Sequence, residues 1–560
     1  MAHDSTTDQS SGIDDLPDFP INWATPGDAQ TYWEQEAVHF PDPMTPMDHD
    51  FSALKITEGF NQGAAYYGLP IEQRLRDINT YAYIANVPLG PAPEAAGGGV
   101  DEEKLKTTMA TLGDLWDQEW LPDIQQHLTY WAEFDLHEAD LPALRQHLDE
   151  TVRRVRRMWE IHFRLAFPML MAITFFEEMH QDLFEDANPL DAYALLTEVE
   201  NTTVKSSRAL WELSRHALRE PVVRQALEQH ASETVIDNLS ESPNAQGFLA
   251  EMEAFLQAYG QRIDKLYVSV PTWRENPVPL INNMKGYMAQ PDRDLLGEME
   301  DTIADREQAV ANARERLGSF PQPVVEQFEF LLKTAQKACY LKEEHTNWID
   351  FQTTYHARQV VLECGRRLQD AAAIESLDDV FYLTLDELQT LMAEEPLAPQ
   401  QTRISERRAL EAQYADCTPP PRLGAPPPGP PPDNPVVRAV SKVFGAPPPI
   451  SETPGELLGL GASPGTVRGT ARILHSLAEV DKLEPGDILV AATTTPPWTP
   501  LFANIVGVIT DAGGILSHPA VVAREYGIPA VVGTGRSTAV IKDGQVVEID
   551  GDKGVVRLVS

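Results

Sequence analysis

The sequence is poor in cysteine and contains no long apolar run. Its three cysteines, Cys339, Cys364 and Cys417, are widely separated and lack metal-ligand spacing. We therefore expect no disulfide framework, no cysteine-based metal centre and a reducing compartment. No apolar stretch reaches the roughly 20 residues that a transmembrane helix needs, and the acidic, polar first 20 residues are unlike a signal peptide. These absences predict a cytoplasmic protein.

Basic residues are also scarce. The chain has 44 Lys and Arg residues against 85 Asp and Glu residues, a formal net charge of -41. Because so large a negative charge repels phosphate backbones and anionic lipid surfaces, we expect neither a nucleic-acid partner nor a membrane partner. Solubility is the simplest role of the charge, and a dedicated basic partner is the alternative.

Composition and periodicity divide the 560 residues into several parts. Residues 1–20 are polar and predicted to be a disordered tail. Residues 21–393 are predicted to form a mainly α-helical substrate module, in which residues 21–100 are irregular. Residues 394–452 are a Pro-rich linker, and residues 453–560 have the short β-branched runs and Gly turns of a small α/β domain.

The helical module shows clear three- and four-residue apolar spacing. The clearest such stretch is 144–183, which Pro168 should kink or break. A Pro-rich loop is predicted at 268–291. Further helices are predicted at 191–216, 220–229, 246–259, 295–317, 324–369 and 385–393.

Runs of proline mark the linker at 419–421, 426–428, 430–432 and 447–449. Such sequences favour polyproline II, which rises about 3.1 Å per residue, so thirty residues reach on the order of 100 Å. This segment is therefore predicted to be an extended tether, with a passive spacer as the alternative.

Residues 506–535 contain the strongest functional signal. An apolar run is followed by Gly513-Gly514 and then by Ser517-His518-Pro519. Ser517 is a suitable N-cap and Pro519 fits the first helical turn, so His518 should lie at the N-terminus of a helix. Anions are stabilised there, and a histidine in that place could be a nucleophile that becomes phosphorylated. The alternative is a histidine that merely follows a helix cap.

The surrounding residues resemble the phosphohistidine, or swivelling, domain of the phosphoenolpyruvate-utilising enzyme superfamily. That superfamily includes pyruvate phosphate dikinase, phosphoenolpyruvate synthase, rifampicin phosphotransferase and phenylphosphate synthase. The resemblance implies that His518 accepts and delivers a phosphoryl group. The matching residues are Gly461 to Gly465, Gly469, Ala471, Arg472, Leu483, Pro485 to Leu489, Trp498 to Phe502, Thr510, Gly513, Gly514, Ser517, His518, Ala520, Val522 to Glu525 and Gly527 to Val531.

Leu516 departs from one branch of this family. Members that use pyruvate or phosphoenolpyruvate carry Thr two positions before the histidine, whereas leucine resembles the branch that phosphorylates organic hydroxyl groups. The organisation is similar to the histidine-bearing subunit of phenylphosphate synthase and to the substrate and histidine domains of rifampicin phosphotransferase. The resemblance therefore implies a dikinase-type phosphotransferase acting on a phenol or another apolar alcohol.

The sequence shows no Gly-rich, Lys-containing phosphate loop and no room for an ATP-grasp domain. We therefore expect a separate ATP-grasp subunit to bind ATP and Mg2+ and to charge His518. No metal is predicted on this chain.

Supporting residues are predicted in both parts of the chain. Around the phosphohistidine, the predicted phosphate-binding residues are Thr510, Gly513, Gly514, Ser517 and Arg524, with a salt bridge as the alternative for Arg524. In the helical module, the predicted substrate residues are His162, Trp159 and Glu177, with His180, His345 and Asp350 as weaker candidates. His162 could instead be a core histidine.

Three other functions stay open from the sequence. The chain could be a phosphocarrier or regulatory protein that passes phosphate to another protein. It could phosphorylate an alcohol whose ester is later eliminated. It could also be a binding module without catalysis, although the intact Gly-Gly and Ser-His residues speak against this.

Overall fold

The computed structural model describes residues 19–89, 101–184, 188, 190–197, 200–393, 398–415, 417, 419–425, 435–445, 451 and 453–559. It confirms a large helical module followed by a small α/β domain. The predicted disordered tail lies outside the described residues except for its last two positions. Phe19 is buried against Tyr81, Tyr83 and Tyr414.

Helices dominate the chain as far as residue 444. The first group is α1 Leu54–Tyr66, α2 Glu102–Ala110, α3 Leu112–Leu115, α4 Leu121–Glu133, α5 Leu141–Leu183, α6 Asp191–Ala194, α7 Thr202–Arg219, α8 Pro221–Gln229, α9 Val235–Ser240 and α10 Gln246–Tyr259. The second group is α11 Val278–Met288, α12 Leu295–Leu317, α13 Gln322–His345, α14 Gln352–Asp370, α15 Leu385–Leu391, α16 Gln401–Tyr414, α17 Pro435–Phe444, α18 His518–Glu525 and α19 Ser537–Val540. Three π-helical segments adjoin α1, α4 and α14: Asp48–Ala53, Trp116–Trp120 and Thr346–Phe351.

The strands form two sheets. They are β1 Trp33–Gln35, β2 Ile71–Ile78, β3 Tyr81–Pro88, β4 Arg422–Leu423, β5 Glu456–Leu458, β6 Leu460–Ser463, β7 Thr466–Ile473, β8 Ile488–Ala491, β9 Gly507–Thr510, β10 Ala530–Val532, β11 Val546–Asp550 and β12 Val555–Leu558. The first sheet has the order β2-β3-β1-β4, and the second has the order β5-β12-β11-β7-β8-β9-β10-β6. Strands β7, β8, β9 and β10 run parallel, so their carboxyl ends share one edge.

The prediction that residues 21–100 are irregular is wrong for their described part. Strands β2 and β3 form an antiparallel hairpin, and Asn79 and Thr80 at its turn have positive φ angles of 53° and 72°. A two-residue turn with positive φ at both positions matches the twist of the flanking strands. The usual Asn-Gly signal is absent here, which is why the hairpin escaped sequence analysis.

Pro168, predicted to kink or break its helix, does not break it. Helix α5 runs for 43 residues through Pro168, which is buried. Neighbouring helices α1, α13, α14 and α17 pack around α5. Their tertiary contacts outweigh the loss of one backbone hydrogen bond.

Helices α1 and α5 approach each other through glycine. A Cβ atom added at Gly59 would lie 2.6 Å from Cβ and 2.7 Å from the carbonyl carbon of Trp159. Such distances are too short for non-bonded atoms, so a side chain at position 59 would force the two helices apart. Gly59 thereby positions the Trp159 and His162 turn of α5.

We expect Gly59→Ala to lower the free energy of unfolding by about 1–3 kcal/mol because it overpacks this contact. Gly247→Ala is the matched helical control, since nothing lies within 4 Å of its added Cβ. Urea unfolding monitored by circular dichroism measures both. Equal midpoints for the two variants would contradict the tight α1–α5 contact.

The segment 394–452 is not the uniform extended tether that its prolines suggested. It contains α16, β4 and α17, and Trp33 of β1 pairs with Leu423 of β4. The carbonyl of Pro420 accepts a 2.6 Å hydrogen bond from the Tyr83 hydroxyl. The proline runs 426–428, 430–432 and 447–449 lie outside the described residues. Tertiary contacts therefore hold parts of the segment against the helical module, and its domain boundaries stay a prediction.

The two domains share an apolar cluster. Trp498 and Phe502 of the C-terminal domain belong to the same buried cluster as Trp211 of α7 and Tyr287 of α11. The Thr495 hydroxyl also donates to the carbonyl of Asp264 at 2.8 Å. The C-terminal domain is thus packed against the helical module. Among the described helices, none combines the length and apolarity that spanning a membrane requires.

Candidate functional site

His518 is the first residue of α18, immediately after a glycine turn that follows β9. Gly513 has a φ of 110°, a conformation that favours glycine. Ser517 occupies the N-cap position, and its hydroxyl donates to the carbonyl of Gly514 at 2.6 Å. The hydroxyl therefore tightens the turn that places His518 at the start of the helix.

Two threonines hold the His518 ring. The hydroxyl of Thr494 lies 2.8 Å from Nδ1, and that of Thr499 lies 3.1 Å from Nε2. Since a neutral imidazole has one N–H group, one threonine accepts from the ring and the other donates to it. Burial lowers the pKa of His518 to about 3. The ring is therefore neutral at physiological pH, as a nucleophilic histidine must be.

Charged groups of the helical module face His518. The charges of Glu343, Lys342 and Arg262 all act on the pKa of His518. Glu343 lies 3.4 Å from Lys342 Nζ and accepts a 3.0 Å hydrogen bond from the Thr203 hydroxyl. These contacts fix a carboxylate and a cation of α13 beside the imidazole.

Arg262 is the second cation of this group. It is 3% exposed, and its Nε has no hydrogen-bond partner among the described residues. Burial lowers its pKa to about 10, so it keeps its charge at neutral pH. A buried cation with an unused donor can bind an anion, and a phosphoryl group on His518 is one.

His162 lies in a second polar cluster. Its Nδ1 is 2.9 Å from Oδ1 of Asp350, and its ring centroid is 4.6 Å from that of His345 and 5.0 Å from that of Trp159. Burial lowers the pKa of His345 to about 4, and the charges of His162 and Lys342 act in the same direction. Lys342 thus connects this cluster with the group that faces His518.

Three predicted site residues make contacts with residues other than His518: Arg524, Thr510 and His180. Arg524 donates to the carbonyls of Ala462 and Ile515, and its guanidinium lies 4.5 Å from the centroid of the Tyr193 ring. The Thr510 hydroxyl donates to the carbonyl of Ala512 at 2.8 Å. His180 packs on Phe184 at a centroid distance of 4.8 Å. Their proposed roles stay predictions.

Gly514 and Glu177 contact helix α17. The backbone N–H of Gly514 donates to the carbonyl of Val443 at 2.7 Å, and a Cβ at Gly514 would lie 2.3 Å from the carbonyl oxygen of Lys442. Glu177 accepts a 2.5 Å hydrogen bond from the Tyr193 hydroxyl and pairs with Lys442. Helix α17 therefore ties the glycine turn before His518 to helix α5.

Sequence reasoning missed Thr494, Arg262, Lys342 and Glu343. Thr494 was detectable, because it follows β8, and the carboxyl ends of parallel strands β8 and β9 meet at one edge. The three charged residues carry no motif. Only the docking of the two domains brings them to His518.

Two family matches cover both halves of this site. Residues 483–554 match the mobile domain of PEP-utilising enzymes, and residues 162–343 match the fourth domain of rifampicin phosphotransferase. The first match contains His518, and the second begins at His162 and ends at Glu343. Together they fit the phosphoenolpyruvate-utilising superfamily and confirm the resemblance drawn from the motifs.

Two of three similar relatives are named as phosphotransferases. Chondramide synthase cmdD of Chondromyces crocatus is 39% identical over 562 residues, which cover 99% of this chain and 14% of that protein. The uncharacterized phosphotransferase YvkC of Bacillus subtilis is 29% identical, covering 72% of this chain and 47% of the relative. Rifampicin phosphotransferase of Streptomyces sviceus is 27% identical, covering 71% of this chain and 44% of the relative. The chain thus spans about half or less of these relatives.

Proposed function

We propose that this chain is a phosphotransferase in which His518 carries a phosphoryl group to the hydroxyl of a small organic molecule, a phenol or another apolar alcohol. The observation that carries the proposal is the position of His518, which begins α18 between the hydroxyls of Thr494 and Thr499 in a domain packed against the helical module. Relatives named as phosphotransferases and the two family matches support the same chemistry.

In the transfer step, the substrate oxygen attacks phosphorus and the phosphorus–nitrogen bond to His518 breaks. The bond electrons return to the imidazole, and the hydroxyl proton passes to a base. Arg262 and Lys342 stabilise the phosphoryl oxygens, where negative charge is concentrated in the transition state. His162 is the proposed base, because Asp350 at its Nδ1 orients the ring and stabilises the imidazolium that forms.

Charging of His518 requires another site. We propose that an ATP-grasp unit on a separate subunit supplies Mg2+ and ATP, with the β-phosphate transferred in a dikinase-type reaction. His518 is partly buried in a domain that packs against the helical module, so we expect this domain to leave the module for charging. The hydrogen bonds from the Gly514 and Leu516 N–H groups to α17 either break during this movement or keep α17 with the moving domain.

The transfer step can be tested without the charging subunit. The full chain is phosphorylated with phosphoramidate, a histidine-phosphorylating reagent, freed of reagent and mixed with phenols and apolar alcohols. We expect loss of acid-labile phosphate from the protein together with a phosphate ester of one acceptor class, detected by mass spectrometry. Release only to added proteins would instead support the phosphocarrier alternative and contradict the proposal.

A further inference from the structure

A cluster of metal-ligating side chains lies in the helical module, outside the phosphohistidine domain. His162 of α5, His345 of α13 and Asp350 of the following π-helical segment each offer one ligand atom, and these atoms all lie within 4.8 Å of one another. His345 and Asp350 are buried, and His162 is partly buried. The three residues thus form a compact set of two imidazoles and one carboxylate.

The π-helical segment Thr346–Phe351 explains how two of these residues meet. His345 and Asp350 are five positions apart, and in a regular α-helix such residues point in different directions. In a π-helix the hydrogen bonds run from residue i to residue i+5, so residues five apart are stacked on one side. Such single turns are frequent at functional sites, because they redirect side chains that a regular helix would separate.

Hydrogen bonds already orient the ligands. Nδ1 of His345 is 2.9 Å from the carbonyl oxygen of Leu341. Because a carbonyl only accepts, the ring carries its proton on Nδ1 and presents the lone pair of Nε2. Metal-binding histidines are commonly held in this way by a backbone carbonyl.

We infer that His162, His345 and Asp350 form a binding site for one divalent transition-metal ion of the zinc class. Two histidines and one carboxylate are the protein ligands of catalytic zinc sites, which keep one position for water or substrate. Ligand distances of about 2.0–2.2 Å place neighbouring donors about 3.3 Å apart in a tetrahedron, so donors that lie up to 4.8 Å apart here would have to approach by up to about 1.5 Å. The 2.9 Å separation of His162 Nδ1 and Asp350 Oδ1 is already near this value. An ion bound there would take the Nδ1 lone pair of His162, so the role of His162 as the base in the proposed transfer step applies to the metal-free chain.

The nearby charges are compatible with a cation. Lys342 is the positive group that acts on His345, and it lies 3.4 Å from the carboxylate of Glu343. Asp350 also acts on His39, which is paired with Glu36 at 3.0 Å. Carboxylates therefore offset the positive groups around the cluster, and a bound divalent ion would not meet an excess of positive charge.

The inference does not rest on the proposed function, because binding is measured directly. The untagged full chain is dialysed against a chelator and titrated with Zn2+ and with Co2+. We expect one equivalent to bind, visible d–d bands with Co2+, and a melting temperature raised by about 2 °C or more at saturating Zn2+.

The variants Asp350→Asn and His345→Gln remove one ligand each, and His475→Gln is the control because His475 is an exposed histidine of the other domain. We expect at least about 100-fold weaker binding in the first two variants and unchanged binding in the control. Loss of the stoichiometric site with unchanged circular dichroism supports the assignment. Stoichiometric binding of unchanged affinity in Asp350→Asn or His345→Gln, or no binding by the parent chain, would overturn it.

Discussion

His518→Ala is expected to abolish the acid-labile phosphorylation of this chain and the transfer that depends on it. The imidazole is the group that forms the phosphorus–nitrogen bond, and neither Thr494 nor Thr499 at its sides can replace it. Phosphoryl transfer to an acceptor should therefore fall by at least about 1,000-fold, to the uncatalysed background. Radiolabelling and phosphopeptide mapping after chemical or enzymatic charging measure the effect.

His475→Ala is the matched control for this substitution. His475 lies in the same domain and is exposed, so it should leave labelling and transfer unchanged. Both variants should keep the circular dichroism spectrum of the parent chain. Acid-labile label that remains in His518→Ala and maps to another histidine would contradict the assignment of the carrier residue.

Lys342→Ala and Arg262→Gln are expected to slow phosphoryl transfer by about 100-fold each. Both side chains belong to the helical module, and the positive charge of each acts on His518, the residue proposed to carry the phosphoryl group. Charging should change much less, because it takes place after the domain has moved away. Single-turnover transfer from the charged protein and the rate of its charging are measured separately.

Lys333→Ala is the control variant for Lys342→Ala. It removes one positive charge from the same helix, and so shows whether slower transfer comes from the position of Lys342 or merely from a lower net positive charge. Lys333 belongs to the same helix, α13, and is exposed, so both half-reactions should keep their rates. If Lys342→Ala and Arg262→Gln slowed charging as much as transfer, these residues would not belong to a transfer site. A structural defect would show as a lowered melting temperature.

Several features of the fold could be predicted because their signals are local. Helices at 246–259 and 295–317 were predicted with the observed bounds. Their ends coincide with the points where the three- and four-residue spacing of apolar residues stops. The hairpin of β2 and β3 and the continuous helix through Pro168 could not be predicted. In both, contacts with residues distant in sequence outweigh a weak or contrary local preference.

The linker illustrates the same limit. Its prolines predict a segment unlike the domains on either side, but they do not reveal helix α17. That helix is held by the pairs Lys442–Glu177 and Arg438–Glu178, and its carbonyls accept from the glycine turn before His518. These partners lie far away in the sequence, so no local pattern contains them.

By itself, the sequence determined the class of the C-terminal domain and the position of His518 at the start of a helix. The glycine pair, Ser517, His518 and Pro519 are contiguous, and a turn that begins a helix is encoded by neighbouring residues. The tertiary structure alone decided what faces that histidine. The charges of Arg262, Lys342 and Glu343 act on His518 from the other domain, and His162, His345 and Asp350 meet through helix packing and a π-helical turn. Such placements depend on long-range packing, which a single sequence does not display.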